Sequence, residues 1–249
     1  MRVSRLYIDH PLSENTDVML EAHSSHYLLR VLRLKPGDAL LVFNGDGHEY
    51  SATLEQATRK QAALRLREKT SPQRESPLCI EIAQGVARGE RMDFVLQKSV
   101  ELGANIISPL WTRRAQVKLD GKRLDKRLSH WLGVVHSACE QSGRVRIPAL
   151  QAPRDLDSWL TTPWEGQQLV LSPRATSTLK DLQPASRVRV LVGPEGGLDE
   201  GEISKAEANG FQAIQLGPRI LRTETAALAT LAALQTLWGD LAAQSSSDN

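Results

Sequence analysis

In the first part of the chain, three short runs rich in apolar positions, 39–43, 49–54 and 62–66, stand between turn-forming stretches. Short runs so bounded read as strands. Lys35-Pro36-Gly37-Asp38 and Asn44-Gly45-Asp46-Gly47 punctuate the runs as turns, and residues 25–33 read as a short helix before them. Together these elements predict a compact β-barrel-type module, a shape often used to hold RNA. Residues 70–77, Thr-Ser-Pro-Gln-Arg-Glu-Ser-Pro, continue neither strand nor helix, which divides the chain into 1–72 and 73–249.

After the break the pattern changes to strands alternating with helices, as in an α/β layer. Strands are predicted at 78–83, 106–110, 168–171, 188–192 and 213–216, and helices at 91–102, 124–141, 199–209 and 224–241. In the helix at 91–102 the apolar residues Met92, Val95, Leu96 and Val100 share the core-facing side, and Gly103 closes it. The tail 244–249, Gln-Ser-Ser-Ser-Asp-Asn, reads as disordered.

Composition narrows the class. The 249 residues are 41% hydrophobic and 24% charged, ordinary globular usage and unlike a disordered chain. No apolar run approaches the roughly 18 residues of a membrane span, and Met1-Arg2-Val3-Ser4-Arg5 carries charge where a signal peptide needs an apolar core. The expectation is a cytoplasmic protein with no membrane partner. Two cysteines, Cys79 and Cys139, make no disulfide framework, and the six histidines include no helical i, i+4 pair, so no metal is expected.

The net charge of +2 is unevenly spread: residues 1–72 carry +1, 73–150 carry +5 and 151–249 carry −4. Between Trp111 and Arg127 seven cations, Arg113, Arg114, Lys118, Lys122, Arg123, Lys126 and Arg127, face two acids. Such a patch meets phosphates through counterion release; as a solvated helix face it would carry no function.

Two loops carry the strongest chemical signal. Val190-Leu191-Val192 runs into Gly193-Pro194-Glu195-Gly196-Gly197, and Asp199 stands ready to cap the next helix. Glycines at a strand end let backbone approach a ligand and leave N–H groups free for it, at the edge where open α/β sheets bind ligands. Leu216-Gly217-Pro218-Arg219-Ile220-Leu221-Arg222-Thr223-Glu224-Thr225-Ala226 is the second strand end. There Thr223 reads as the helix N-cap, while the guanidinium fork of Arg222 faces the loop or pairs with Glu224. The cluster Glu140-Gln141-Ser142-Gly143-Arg144 ends the long helix. Neither a P-loop, nor a dinucleotide fingerprint, nor a hydrolase elbow is present in the sequence.

In order and spacing, Gln97-Lys98-Ser99-Val100-Glu101-Leu102-Gly103, Glu140-Gln141-Ser142-Gly143-Arg144 and the two glycine-bearing loops resemble the bacterial small-subunit ribosomal RNA uracil-N3 methyltransferases of the SPOUT superfamily. The resemblance runs from the turn at Lys35-Pro36-Gly37-Asp38 to the last helix. It implies a PUA-like barrel followed by an α/β domain with a trefoil knot, dimerising through the knotted domain. S-adenosylmethionine (SAM) would lie bent among the knot loops, against Leu171, Ser172, Leu191, Val192, Gly193, Pro194, Glu195, Gly196, Gly197, Leu216, Gly217, Ile220, Leu221, Arg222, Thr223 and Ala226. Two positions depart from the family pattern: Arg113 stands where an acid is usual, and Ser172 where histidine is frequent.

The implied reaction removes the N3 proton of a uracil in 16S ribosomal RNA and aligns the anion with a methyl donor. Arg222 is the expected stabiliser of the developing charge, with Glu195 or Glu224 accepting the proton. Arg30, Arg33, Arg114, Lys118, Lys122, Arg123, Lys126, Arg127 and Arg144 are the candidates for gripping RNA. Two other functions fit the residues: a non-catalytic RNA-binding or ribosome-assembly protein, and a SPOUT methyltransferase acting on transfer RNA.

Overall fold

The computed structural model describes residues 3–58, 61–115 and 120–242. Lys118 and the tail 244–249 lie outside them. By its contacts the chain forms two units, Met1–Glu75 with Cys139–Ile147, and Ser76–Ala138 with Pro148–Asn249.

The first unit is a five-stranded sheet. It comprises β1 (Ser4–Tyr7), β2 (Asp17–Met19), β3 (Ala39–Phe43), β4 (Glu49–Ala57) and β5 (Ala62–Thr70), in the order β1-β3-β4-β5-β2. β1 and β3 are parallel and the other pairs antiparallel. Alternation puts Leu40, Val42, Tyr50, Ala52, Leu54, Leu64 and Leu66 on one buried face. β1 and β2 escape the pattern because each buries a single residue, Leu6 and Val18. The helix expected at 25–33 begins earlier, as α1 (Ala22–His26), and widens into a π-helical turn over Tyr27–Val31. Arg33 then leaves it at φ +57°.

Residues 139–147 belong to this unit through specific bonds. Asp46 and Arg146 form a β-bridge, and the Gly47 N–H donates to Val145 O at 3.1 Å. Arg144 is only 4% exposed, and its Nη2 and Nε reach Glu75 Oε2 at 2.6 and 3.1 Å. The assignment of Arg144 to RNA is therefore corrected: a buried guanidinium already paired with a carboxylate presents nothing to a phosphate. Glu49 beside it accepts from Arg5 and Arg74.

The second unit is built on a parallel sheet of β6 (Cys79–Gly85), β7 (Ile106–Trp111), β8 (Ala149–Leu150), β9 (Arg154–Asp155), β10 (Gln167–Leu171), β11 (Arg187–Val192) and β12 (Gln212–Ile214). The order is β12-β10-β11-β6-β7-β8, with β9 also on β7. Its central strands are almost continuously buried, as parallel strands covered on both faces must be. The helices are α2 (Glu90–Glu101), α3 (Gly121–Ser142), α4 (Leu156–Leu160), α5 (Glu200–Ala208) and α6 (Thr223–Trp238). α2 buries Met92, Val95, Leu96 and Val100 as its periodicity predicts. No helix among the described residues is long and apolar enough to cross a membrane.

A charge sits inside this sheet. Arg189 of β11 is buried between the rings of Trp159 and Phe211, 4.7 and 4.8 Å from its Cζ, and donates through Nε to Gln168 Oε1 at 2.7 Å. Burial pushes its guanidinium down to about 10, opposed by nearby Glu81, so it stays charged at neutral pH. The pairing locks the register of β10 on β11. Because these strands are parallel, β10, β11 and β12 all end on one edge of the sheet, and their three exits meet there.

Candidate active site

At the end of β11 the chain turns back within five residues, with the Gly197 N–H donating to Pro194 O at 2.8 Å. A Cβ on Gly193 would stand 2.7 Å from the Leu198 nitrogen, so only glycine lets the turn close. α5 then starts with a reciprocal cap: Asp199 Oδ1 accepts from the Glu202 N–H at 2.7 Å and Glu202 Oε2 from the Asp199 N–H at 2.9 Å. The Glu202 N–H, followed by Arg113, holds the Asp199 carboxyl below the usual carboxylate range.

The exit of β7 is fastened to this loop. The Arg113 N–H donates to Glu202 Oε1 at 2.8 Å, its guanidinium to Asp199 Oδ2 at 3.1 Å, and Arg114 Nη1 to Gly196 O at 2.9 Å. Arg113, standing where the family pattern has an acid, thus acts here as a brace. Arg114 is exposed, yet its guanidinium is already engaged by the loop.

Glu195 points back toward α2. Its Oε1 accepts from the Arg88 N–H at 2.8 Å and from Arg91 Nη1 at 3.1 Å. Burial works to raise its carboxyl, but the Arg88 and Glu195 N–H groups and Arg91 outweigh it and hold the group below the ordinary glutamate range. A carboxylate so stabilised is a weak proton acceptor.

The loop after β12 is different in kind. Gly217 takes φ +73°, and among the described residues no hydrogen bond engages the N–H groups of Leu216, Gly217, Arg219, Ile220 or Leu221. Ile220 is 87% exposed. Arg219 and Arg222 are exposed too, and neither has a partner among the described residues, so the pairing of Arg222 with Glu224 is not formed. Arg222, in extended conformation and making no side-chain cap, occupies the N-cap position. Thr223 is instead the first residue of α6, and its hydroxyl donates to Gly193 O at 2.5 Å. Glu224 keeps its Oε2 buried with no hydrogen-bond partner.

Beside both loops, the N–H of Ser172 donates to Ile214 O at 3.0 Å, and its Oγ accepts from the Arg174 N–H at 3.3 Å. The three exits enclose a cleft of about 940 Å³. Every expected cofactor-binding residue lines it except Leu191, which is fully buried in the apolar cluster with Trp159 and Phe211 and has no face on the cleft. Arg91, Arg113, Arg114, Arg174 and Arg219 add cationic side chains to its wall. Of the remaining RNA candidates, Arg30 and Arg33 are exposed on the first unit. Lys122, Arg123 and Lys126 are exposed and Arg127 half-buried at the start of α3. Sequence reasoning missed the fastening role of Glu202, since a glutamate after an Asp cap reads as a cap alone. Among the described residues no group of three His, Cys, Asp or Glu could hold a metal ion.

Residues 74–235 match the family described as RNA methyltransferase domain, and residues 20–67 the RNA methyltransferase PUA domain. The ribosomal RNA small subunit methyltransferase E of Buchnera aphidicola subsp. Schizaphis graminum is 37% identical over 242 residues, covering 96% of this chain and 98% of its own. This chain belongs to the ribosomal RNA small subunit methyltransferase E family. The member from Neisseria gonorrhoeae, solved bound to S-adenosyl methionine, superposes with a TM-score of 0.90 at 40% identity, covering 96% of this chain and all of its own. Lpg2936 from Legionella pneumophila, solved with bound SAM, gives 0.94 at 39% identity over 97% of this chain and all of its own. The α/β fold of the family, preceded by its PUA-like module, is thus the fold seen here, as the sequence motifs implied.

Proposed function

We propose that this protein methylates N3 of a specific uridine in 16S ribosomal RNA, with SAM as the methyl donor held in the cleft of the second unit. The observation that carries the reading is the pairing of the unbonded N–H groups of Leu216, Gly217, Arg219, Ile220 and Leu221 with two unpartnered side chains, Arg222 and Glu224, on one cleft wall. Free N–H groups and a close-approach glycine turn suit a ligand with polar edges, and the donor set fits SAM. Leu171, Ser172, residues 192–197 and residues 216–223 would hold it, with Ala226 closing the far end. Bound there, it supplies an electrophilic methyl group.

The chain's own residues have three tasks. Arg222, fixed at the head of α6, faces the developing negative charge of the deprotonated uracil with a planar pair of donors. Glu224 Oε2, buried and without a partner, is the better placed proton acceptor, whereas both hydrogen bonds to Glu195 Oε1 act to keep that carboxylate from taking a proton. The base must leave its stack to reach the cleft. In this reading the barrel of 1–72 serves RNA binding, the domain of 73–249 catalysis, and two chains associate through the second. The trefoil-knotted path and a cytoplasmic location belong to the same proposal.

Ribosomal RNA from cells lacking the protein is expected to lose a single N3-methyluridine, and purified protein with labelled SAM should restore it on the deficient small subunits. An unchanged modification map with intact RNA binding would favour an assembly factor; label appearing in transfer RNA would move the substrate. Replacing Lys122, Arg123, Lys126 and Arg127 together is expected to flatten the salt dependence of RNA binding by up to about 0.7–0.9 in log–log slope per lost phosphate contact. A slope equal to that of the wild type would remove the start of α3 from the RNA footprint.

A further inference from the structure

Gln84, the penultimate residue of β6, is fully buried and lies outside the cleft lining. Its Nε2 nevertheless meets both cofactor loops: its two hydrogens are shared among Thr223 Oγ1 at 2.8 Å, Gly85 O at 2.9 Å and Gly193 O at 3.2 Å. Thr223 Oγ1 passes its own hydrogen to Gly193 O, which closes a ring of amide, hydroxyl and carbonyl. The amide cannot be turned over, because that would set Oε1 against two carbonyl oxygens. Oε1 itself is buried with no partner. The next residue, Gly85, leaves room for Pro194, whose nitrogen would stand 2.6 Å from a Cβ there. The end of β6 is thus the seat of the first loop, and the Gln84 amide is its tie to the head of α6.

We infer that Gln84 is the positioning residue of the cofactor cleft, its amide holding the Gly193 loop and the start of α6 at binding distance before the cofactor arrives. The inference rests on the methyltransferase reading given above. Its physical content is preorganisation. Without the tie, only a fraction of free molecules has both loops in place, and apparent affinity falls by that fraction. Saturating cofactor restores the arrangement, so the cost appears in binding and not in turnover.

The test is Gln84→Met in the full chain, which keeps the volume and removes the donor. Calorimetry with SAM is expected to show a dissociation constant raised about tenfold, the scale of one lost buried hydrogen bond. The KM for SAM should rise in parallel while kcat at saturation stays within about threefold, and amide exchange of residues 193–197 should quicken in the free protein. A lowered melting temperature with a wild-type dissociation constant and unchanged exchange would make Gln84 merely structural, and a fall in kcat at constant KM would make it part of the chemistry; either overturns the inference. If Gln84→Met does not fold, Gln84→Asn, which keeps the amide but draws it back from both loops by one methylene, is read by the same criteria. If the wild type itself binds no SAM, the methyltransferase reading fails, and this inference with it.

Discussion

Arg222→Ala is expected to lower kcat by about two to three orders of magnitude, the usual effect of deleting one preorganised donor at a site of developing charge. The SAM dissociation constant should stay within a few-fold, because the N–H groups of Leu216, Gly217, Arg219, Ile220 and Leu221 survive the truncation. Arg222 is free of any acid among the described residues, so its guanidinium is not diverted by a salt bridge. Arg222→Lys should recover only part of the rate, since an ammonium offers a point charge where the fork offers two aligned donors. Glu224→Gln is expected to slow turnover as well, and to a greater degree than Glu195→Gln. Single-turnover methylation of small subunits at saturating SAM measures all four variants. Wild-type turnover in Arg222→Ala with normal cofactor binding would remove the charge-stabilising role.

Glu75→Ala is expected to destabilise the first unit by up to about 3–5 kcal/mol, because it removes the carboxylate that the buried Arg144 guanidinium holds through Nε and Nη2. For a chain of this size that corresponds to a fall in melting temperature of roughly 10 °C. The double replacement Glu75→Leu with Arg144→Met should recover much of the loss, since desolvating two charges costs about as much as their attraction returns. Thermal unfolding followed by near-ultraviolet circular dichroism and by calorimetry resolves the difference. Equal stability of Glu75→Ala and the wild type would mean that water reaches Arg144 and that its burial carries no energetic weight.

Much of this was legible in the chain itself. The turn-bounded apolar runs at 39–43, 49–54 and 62–66 and the α/β succession after residue 78 translate directly into strands and helices, because each of those segments buries a face. The two glycine-bearing loops that line the cleft stand out for a related reason: glycine clusters directly after apolar strands have few structural uses. What escaped were elements held by partners remote in sequence. β1 and β2 bury one residue each and exist because β3 and β5 pair with them. Thr223 follows the spacing of a cap, yet its hydroxyl turns to Gly193, thirty residues away. Gln84 and Glu202 look like ordinary polar residues, and only the folded chain reveals the carbonyls and N–H groups that they satisfy. Arg144 looked like an RNA contact because charge in a sequence carries no sign of burial.

The return of residues 139–147 to the first unit has a consequence for how the molecule is made. A ribosome delivers the strands of that unit early, but the partners of Asp46, Gly47 and Glu75 lie at Arg146, Val145 and Arg144. Until synthesis has passed Ile147, the nascent barrel holds an unpaired Glu75 and an open edge near Asp46. Closure of the amino-terminal unit is thereby tied to the emergence of α3, and the two units cannot mature strictly one after the other along the growing chain.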